Sequence, residues 1–412
     1  MKMINWLKQK YKLYKRFLFL VLFIISLIFY FLGWGIMDSL LFSKARKIFN
    51  YTGNQNMKVE IRADGTTMVN HKPFFPFGFY HVSWETTAQH RMNALRDLAS
   101  AGFKTIHASA TNLNDYGEFL DEATRLGVYV LTEQNKVGLV NLVKAFNRKT
   151  AVLGWSIADD VDSGDFTPND VLESQHQAKT IAPNHPTYVS GYSTKIEDFT
   201  NCSDIIAMQA YPLIFGKGGE LYSVYSKILF TKEYVAKSSH KAVYANLQTF
   251  DWAVQEPENP KYKKGTRAPT FEEVRNMTYQ SILAGAKGII YYTYHDEVWH
   301  LPSAKPELWK KMKSLVPEIK AISSFVLNGD FKEIKAGEDN ILAGSWQLGK
   351  EALAIVINIS FDLESDVAIE LPGNILQANS MFTDYTGSMS FKNGKLSGLI
   401  KPVEVQVYRL KG

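Results

Sequence analysis

The stretch AVLGWSIADDV, residues 151–161, is the segment of this 412-residue chain that decides the fold. Its apolar residues form a short β-prone run, and the run ends at two adjacent carboxylates, Asp159 and Asp160. A buried strand that leads into a pair of acids is typical of a parallel α/β barrel, which carries its chemistry at the carboxyl ends of the strands. Either acid could instead be a solvated loop residue or a helix cap.

Seven similar strands accompany this one, and helical segments alternate with them. The other predicted strands cover residues 74–81, 104–108, 128–135, 186–192, 204–212, 241–250 and 288–297. Eight such alternations over residues 72–328 predict an α/β fold of the (β/α)₈ TIM-barrel type, which typically takes about 250 residues. A doubly wound open sheet is the competing fold, but no glycine-rich phosphate loop follows any strand.

Two β-rich segments flank the predicted barrel. A hairpin with its turn at Asp64-Gly65 precedes the first strand, so the barrel domain is predicted over residues 57–328. After Asn328, apolar and polar residues alternate between Gly, Asn and Asp turns, which predicts a C-terminal antiparallel β-sandwich over residues 329–412. Its role is either structural support of the barrel or carbohydrate binding.

The amino-terminal segment predicts a membrane anchor. Residues 17–37 carry no charge and are long enough to cross a bilayer core of roughly 30 Å as a helix. Six Lys or Arg precede this run, so residues 1–16 are predicted to stay in the cytoplasm as a basic tail, with residues 38–56 as a stalk. We therefore expect a single-pass protein of the cytoplasmic membrane with its other domains extracytoplasmic, in the periplasm or at the cell surface. A cleaved signal peptide is the alternative.

Charge and cysteine content exclude several classes of protein. Residues 1–47 hold nine Lys or Arg and one acid, a net charge of +8, so the rest of the chain carries −3 of the total of +5. The alkaline pI therefore belongs to the membrane end, and no nucleic-acid partner is predicted. The single cysteine, Cys202, excludes an intramolecular disulfide.

Polar and aromatic residues collect at the predicted strand ends, where a barrel has its active site. Glycoside cleavage needs a protonated acid near the glycosidic oxygen and a second carboxylate as nucleophile or base. The candidate catalytic residues are Asp160, Asp159, Glu133, Asp296 and Glu297. The candidate substrate-binding residues are Tyr80, His81, His107, Gln209, Tyr211, Gln248, Trp252 and Tyr294. Aromatic faces stack on sugars while amides and hydroxyls bond their OH groups, so the predicted partner is a glycan.

No cofactor and no metal site are predicted. His295, Asp296, Glu297 and His300 are close together in the sequence, but their spacing does not match the helical H-E-x-x-H pattern of zinc sites. The sequence does not indicate any protein partner.

Three motifs resemble a known group of enzymes. LGWSIADDV (residues 153–161) resembles "GWYLADEP", and MQAYP (208–212) resembles "DPYP". The segment TFEEVRNMTYQSILAGAKGIIYY (270–292) resembles "TPEEVRAMTYLALAHGAKGIIYY". These are motifs of bacterial members of the large clan of (β/α)₈ glycoside hydrolases, whose fourth strand ends in the acid/base and whose seventh ends in the nucleophile. The resemblance spans residues 58–410 and implies a glycosidase with Asp160 as its acid.

Two positions depart from this pattern. The relatives have Glu where this chain has Asp160, which is one methylene shorter, and the wider clan has a nucleophilic Glu where this chain has Gln248. As a like-charged neighbour, Asp159 is expected to orient Asp160 or to tune its pKa. Since an amide cannot act as nucleophile, the second carboxylate either is absent or is one of Glu133, Asp251, Asp296 and Glu297.

Three functional hypotheses follow from these patterns. The first is a membrane-anchored extracytoplasmic glycoside hydrolase that acts on a poly- or oligosaccharide. The second, suggested by Gln248, is a catalytically inactive glycan-binding or scaffold protein of an envelope or exopolysaccharide system. The third is a transglycosylase that uses the same site.

Overall fold

Eight parallel strands close into a barrel in the computed structural model, which describes residues 57–83, 86–214, 220–262, 266–382 and 389–412. Each strand pairs with its sequence neighbour, and the eighth pairs with the first. The barrel strands are β4 (Phe77–His81), β5 (Thr105–Ala110), β6 (Tyr129–Gln134), β7 (Val152–Ala158), β8 (Thr187–Gly191), β9 (Ile205–Ala210), β10 (Ala242–Gln248) and β11 (Gly288–His295). The predicted TIM barrel is thereby confirmed.

The predicted segments of the amino terminus, namely the tail (1–16), the anchor (17–37) and the stalk (38–56), lie outside the described residues. Within the described part of the chain, no helix combines the length and apolar character that a membrane crossing needs.

A three-stranded antiparallel sheet closes the amino-terminal end of the barrel. It consists of β1 (Val59–Ile61), β2 (Thr67–Val69) and β3 (Lys72–Phe74). Apolar residues of β1 and β2 share a buried cluster with inward-facing barrel residues such as Leu153 and Ile290. The predicted first strand, residues 74–81, was too long at its start, because Pro76 has no N–H to donate and separates β3 from β4.

Helices cover the outside of the barrel. Those in the described residues are α1 (Ala88–Ser100), α2 (Leu113–Leu126), α3 (Leu139–Phe146), α4 (Pro168–Ile181), α5 (Ser223–Val235), α6 (Trp252–Gln255), α7 (Phe271–Leu283), α8 (Leu301–Ala304), α9 (Pro306–Met312) and α10 (Leu315–Asn328). A 3₁₀ helix at Thr194–Phe199 replaces a full helix between β8 and β9. The stretch ELWKKMKSLVPEIKAISSFV, residues 307–326, has the apolar spacing of a single helix, but it is divided between two helices, α9 and α10.

Two antiparallel sheets follow the barrel. The first has the order β12 (Asp330–Ile334), β13 (Ile341–Leu348), β14 (Glu351–Asn358), β19 (Val405–Lys411) and β16 (Gln377–Ser380). The second has the order β15 (Ser365–Glu370), β18 (Lys395–Ile400) and β17 (Ser390–Lys392). Residues from both sheets, among them Val356, Ile369 and Leu396, share one buried cluster. The predicted antiparallel C-terminal sheets are thus confirmed.

The five-stranded sheet is buried on its other face by the barrel helices. Its Leu353, Ile355 and Val407 belong to the same core cluster as the outer wall of the barrel. Helix α7 lies at this junction, and Arg275 on it donates to Glu318 on α10 (2.9 Å) and to the carbonyl of Val405 (2.8 Å). Because α7 has the barrel on one side and the sheet on the other, nearly all of its residues are buried.

Candidate active site

The fourth barrel strand delivers two aspartates to the carboxyl-terminal end of the barrel. Strand β7 is buried throughout and ends at Ala158, and Asp159 and Asp160 follow directly. Asp160 has φ +48°, a left-handed conformation that costs most residues energy and that Asp tolerates better than most. Its N–H donates to the Asp159 carboxylate (3.1 Å), so the tight turn holds the two acids together. Asp159 is half-buried and Asp160 is exposed.

Gln209 from strand β9 joins the two acids. Its side-chain N–H₂ donates to Asp160 Oδ1 at 2.6 Å and lies 3.4 Å from Asp159 Oδ1. Asp159 also accepts a short hydrogen bond from the Ser190 hydroxyl on β8. Three adjacent strands therefore position one carboxylate pair.

The surroundings of the pair favour a shared proton near neutral pH. Burial, with the neighbouring Asp160 carboxylate as the second cause, raises the pKa of Asp159 to about 7. Desolvation in the cavity also raises the pKa of Asp160, while the Gln209 amide opposes this shift because it bonds to the ionised form. Such coupled acids release their protons as a pair.

Glu133 lies beneath the pair, at the end of strand β6. Its two carboxylate oxygens contact the Tyr80 hydroxyl at 2.8 and 2.7 Å. Burial, with the nearby Asp159 carboxylate as the second cause, raises the pKa of Glu133 to about 8. Glu133 is therefore mainly protonated at pH 7, and one of its contacts with Tyr80 can then run from carboxyl to phenol.

His107 on strand β5 is a buried imidazole beside Tyr80. The two ring centroids are 4.2 Å apart, edge to face, and burial lowers the pKa of His107 to about 3, so the ring is neutral. Neither of its nitrogens has a hydrogen-bond partner among the described residues. The same holds for the indole N–H of Trp252. A bound water or ligand would supply the partners these atoms lack.

Aromatic side chains form one wall of the site. Tyr211 lies 5.3 Å from Phe250 and 6.0 Å from Tyr292, measured between ring centroids. Trp252 stacks on Tyr262 with centroids 4.9 Å apart and planes 16° apart. Flat aromatic surfaces beside carboxylates are suited to binding the apolar faces of sugar rings.

These groups surround a cavity of about 540 Å³, a volume that suits a small-molecule or oligosaccharide ligand. Its lining includes seven of the residues predicted from the sequence: Tyr80, His107, Asp159, Asp160, Gln209, Tyr211 and Trp252. The structure thus brings together residues from β4, β5, β7, β9 and the segments after β9 and β10.

Six predicted residues do not line this cavity: Glu133, His81, Gln248, Tyr294, Asp296 and Glu297. Glu133 reaches the site through Tyr80 and Asp159, as described above. Gln248 is fully buried, and its amide accepts from the N–H of Leu213 (2.9 Å) and donates to the carbonyl of Phe250 (3.0 Å). Both ends of this amide therefore bond to backbone.

The other four lie outside the cavity lining, although Gln255, which bonds to Asp296, is part of that lining. His81 is buried against Ser83 (3.1 Å), and burial lowers its pKa to about 3. Tyr294 donates to Asp97 (2.6 Å) on the helical side of the barrel. Asp296 accepts from Gln255 (2.6 Å) and from two backbone N–H groups of the β11–α8 loop, while Glu297 is exposed. Asp251, the fourth candidate for the second carboxylate, caps α6.

Several cavity residues were missed by the sequence reasoning, namely Lys227, Asn246, Glu256, Tyr262 and Tyr292. Tyr292 could have been found from strand alternation, because it faces the same side as Ile290 while Tyr291 faces the helices. The register of β11 shifts between Tyr291 and His295, and Tyr294 faces the helices against the simple alternation. Glu256 and Tyr262 lie on the long segment after β10, where no periodic pattern indicates which side chains turn inward.

Among the residues that the structure describes, no group of three His, Cys, Asp or Glu side chains is arranged to hold a metal ion.

Solved structures with the same architecture include an α-amylase and an endoxylanase. The α-amylase of Geobacillus thermoleovorans, complexed with acarbose, has a TM-score of 0.55 at 12% identity and covers 86% of this chain and 100% of its own. The GH30 endoxylanase of Clostridium papyrosolvens C71 has a TM-score of 0.50 at 10% identity, and the match covers 87% of this chain and 98% of the endoxylanase. Amy13B of Eubacterium rectale has a TM-score of 0.58 at 8% identity, and the match covers 87% of this chain and 98% of Amy13B.

No protein-family profile matches the sequence, and no curated protein is similar to it. At identities this low, the structural likeness shows that this chain has the (β/α)₈ barrel fold of these glycoside hydrolases.

Proposed function

We propose that this protein is a glycoside hydrolase that cleaves a poly- or oligosaccharide with Asp160 as its proton donor. The observation that carries this proposal is the Asp159–Asp160 pair, held by Gln209 at the end of the fourth barrel strand and facing an aromatic-walled cavity. TIM-barrel enzymes place their catalytic groups at this end of the barrel. The solved structures of similar fold include an α-amylase and an endoxylanase, which supports a glycan as the substrate.

Burial raises the pKa of both acids, which favours the protonated donor that this reaction requires. Asp160 is the more exposed acid and gives its proton to the glycosidic oxygen as the bond from that oxygen to the anomeric carbon breaks. Asp159 beside it favours the protonated form of the pair, because two adjacent carboxylates resist double ionisation. Water then completes the hydrolysis at the anomeric carbon.

The second carboxylate is Asp159 or Glu256. Within the described residues, these are the two other carboxyl groups that line the cavity. Glu256 lies just beyond α6, on the segment that follows the seventh barrel strand, and its carboxylate accepts from Asn259 (2.8 Å). A separation of about 5 Å between donor and second carboxylate would favour retention of configuration, and a larger one inversion.

The same proposal includes the membrane anchor at residues 17–37 and an extracytoplasmic location for the barrel. The uncharged run and the six preceding cations support this orientation. The resemblance to the "GWYLADEP" enzymes supports a bacterial envelope or exported glycan as substrate. Protease added to intact spheroplasts should digest the barrel, and its complete protection would contradict this location.

Reducing-end release by the full-length chain from a panel of bacterial and plant glycans tests the hydrolase. We expect the Asp160→Asn variant to lose activity by about 10²–10⁴-fold, since removing a general acid typically has this effect. Asp165→Asn is the matched control, because Asp165 is an exposed acid of the same β7–α4 loop and does not line the cavity. Equal activity of Asp160→Asn and the unmodified chain would exclude Asp160 as the acid.

One observation favours a second function, glycan binding without cleavage. The amide of Gln248, which replaces the seventh-strand nucleophile of the clan, is bonded to backbone at both ends and lies outside the cavity lining. Such a protein would bind oligosaccharides from the panel in calorimetry and release no reducing ends from any of them. Binding without release, in both the unmodified chain and the Asp165→Asn control, would establish this function instead.

A further inference from the structure

Tyr192 is the exposed aromatic residue of the candidate active site. It follows β8 directly, lines the cavity and is 42% exposed. The other aromatic residues of the described lining are buried or half-buried. Within the described part of the chain, no group bonds to the Tyr192 hydroxyl and no aromatic ring contacts its ring. Its phenol ring is therefore open to a ligand.

The backbone of Tyr192 is fixed although its side chain is exposed. Its N–H donates to both carboxylate oxygens of Asp162 (3.1 Å each), and its carbonyl accepts from Lys227 Nζ (2.9 Å). The N–H and hydroxyl of Ser193 also donate to Asp162, at 2.6 and 2.7 Å, and Asp162 is buried. Gly191 makes room for this carboxylate, because a Cβ there would lie 2.9 Å from Asp162 Oδ1.

The same contacts join Tyr192 to the acid pair. Asp162 lies two residues after Asp160, in the loop that leaves β7. The N–H of Val161 between them donates to the carbonyl of Ser190 (3.0 Å) on β8. The loop with the proton donor is therefore bonded twice to the segment with Tyr192. Partial desolvation raises the pKa of Tyr192, and the carboxylates of Asp162 and Asp160 raise it further, as expected for a phenol close to both acids.

The cavity has a buried inner end and an exposed outer end. Tyr80, His107 and Asn246 line the inner end and are buried in the barrel. Asp160 and Tyr192 are exposed. A sugar ring in the inner part has its glycosidic oxygen directed toward the exposed acid, so the next ring of the glycan extends toward solvent on the side of Tyr192.

We propose that Tyr192 stacks on the second sugar ring of the substrate, the ring that leaves when the glycosidic bond breaks. This inference rests on the proposed function and narrows its substrate class to glycosides whose leaving group is itself a sugar ring with an apolar face. Aromatic rings bind such faces by flat contact. Because the fold holds the Tyr192 backbone in place before the substrate arrives, little conformational entropy is lost on binding.

Kinetics with two leaving groups test the proposal. The first probe is whichever of maltotriose, xylotriose, cellotriose and chitotriose the full-length chain cleaves fastest. The second is the glycosyl fluoride of the same donor sugar and anomeric configuration, which has no leaving ring. We expect Tyr192→Ala to lower kcat/KM for the trisaccharide about five- to tenfold more than for the fluoride. Tyr192→Phe keeps the ring and should lose less than about twofold on the trisaccharide.

Tyr222→Ala is the matched control, because Tyr222 is 48% exposed just before α5 and does not line the cavity. Equal losses of Tyr192→Ala on the two probes would overturn the proposal, and so would a loss no larger than that of the control. A loss in Tyr192→Phe as large as in Tyr192→Ala would assign the effect to the hydroxyl and overturn the stacking.

A chain that binds one of the four trisaccharides without cleaving it would contradict the hydrolase and still test Tyr192. In calorimetry, Tyr192→Ala should then bind the trisaccharide more weakly than Tyr222→Ala does, while the two variants bind the monosaccharide alike. Equal affinity of the two variants for the trisaccharide would overturn the proposal. A chain that neither cleaves nor binds any of the four would overturn it as well.

Discussion

Glu133→Gln is the substitution that tests the electrostatics of the barrel interior most directly. The carboxyl group is buried and contacts the Tyr80 hydroxyl with both oxygens, and burial raises its pKa from 4.5 to about 8. A glutamine has the same shape and remains neutral at every pH. Its amide can accept from Tyr80 through oxygen and donate to it through nitrogen, so the local hydrogen bonding is preserved.

The sign of the effect follows from proton binding. Between pH 4.5 and about 8 the folded protein holds the Glu133 proton and the unfolded chain has lost it, so the free energy of unfolding falls as pH rises. Each pH unit costs about 1.4 kcal/mol, which gives about 4 kcal/mol between pH 5 and pH 8. Glutamine removes this cost. With an unfolding entropy of about 2 cal/mol/K per residue over about 350 residues, the difference corresponds to roughly 5 °C.

Differential scanning calorimetry of the unmodified chain and the variant at pH 5 to 9 measures this effect. We expect the melting temperature of Glu133→Gln, relative to the unmodified chain, to increase steadily up to about pH 8 and to change little above it. Glu118→Gln, which changes an exposed glutamate on α2, serves as the control for the removal of one charge. A melting-temperature difference that stays constant over the whole pH range would show that Glu133 is ionised in the folded protein and would refute the argument.

Three further predictions concern the site, the barrel wall and the junction with the C-terminal sheets. Gln209→Leu removes the donor that stabilises ionised Asp160, so carboxyl ¹³C NMR should show its pKa raised by about one unit, and an unchanged pKa would contradict the assigned hydrogen bond. Gly78→Ala would place a Cβ 1.7 Å from a carbonyl oxygen of β5 and should cost about 3 kcal/mol or more in denaturant unfolding, whereas Gly138→Ala, with open space around it, should cost little. Arg275→Leu removes the guanidinium that pairs with buried Glu318 on α10 and donates to the Val405 carbonyl of the sheet, and it should cost about 3–5 kcal/mol, so a loss below about 1 kcal/mol would show that these contacts do not stabilise the junction.

The sequence alone was sufficient to predict the architecture of residues 57–412. Apolar β-prone runs that alternate with amphipathic helices reveal a barrel because each strand must be buried on both faces, and this requirement is local to each segment. The alternating pattern after Asn328 revealed the antiparallel sheets, because a strand with one buried face alternates apolar and polar residues. This pattern is also local to each segment. Segment ends were less certain, as Pro76 and the division between α9 and α10 show.

The composition of the candidate site was only partly predictable. Residues directly after a strand, such as Asp159 and Asp160, could be assigned to the rim because the end of a strand fixes their place. Tyr294 and Gln248 also come at strand ends, but one faces the helices and the other bonds to backbone. Glu256 reaches the cavity from a long segment without any periodic signal.

The sequence by itself determined which secondary structures form and at which end of the barrel the acids lie, because hydrophobic periodicity and strand order are properties of neighbouring residues. Tertiary structure decided how strongly burial raises the pKa of the acids, and which amide bonds to the acid pair (Gln209) and which bonds to backbone (Gln248). Those properties depend on distance and burial among residues far apart in the chain, such as Tyr80 and Glu133 or Asp160 and Gln209, and no local pattern encodes them.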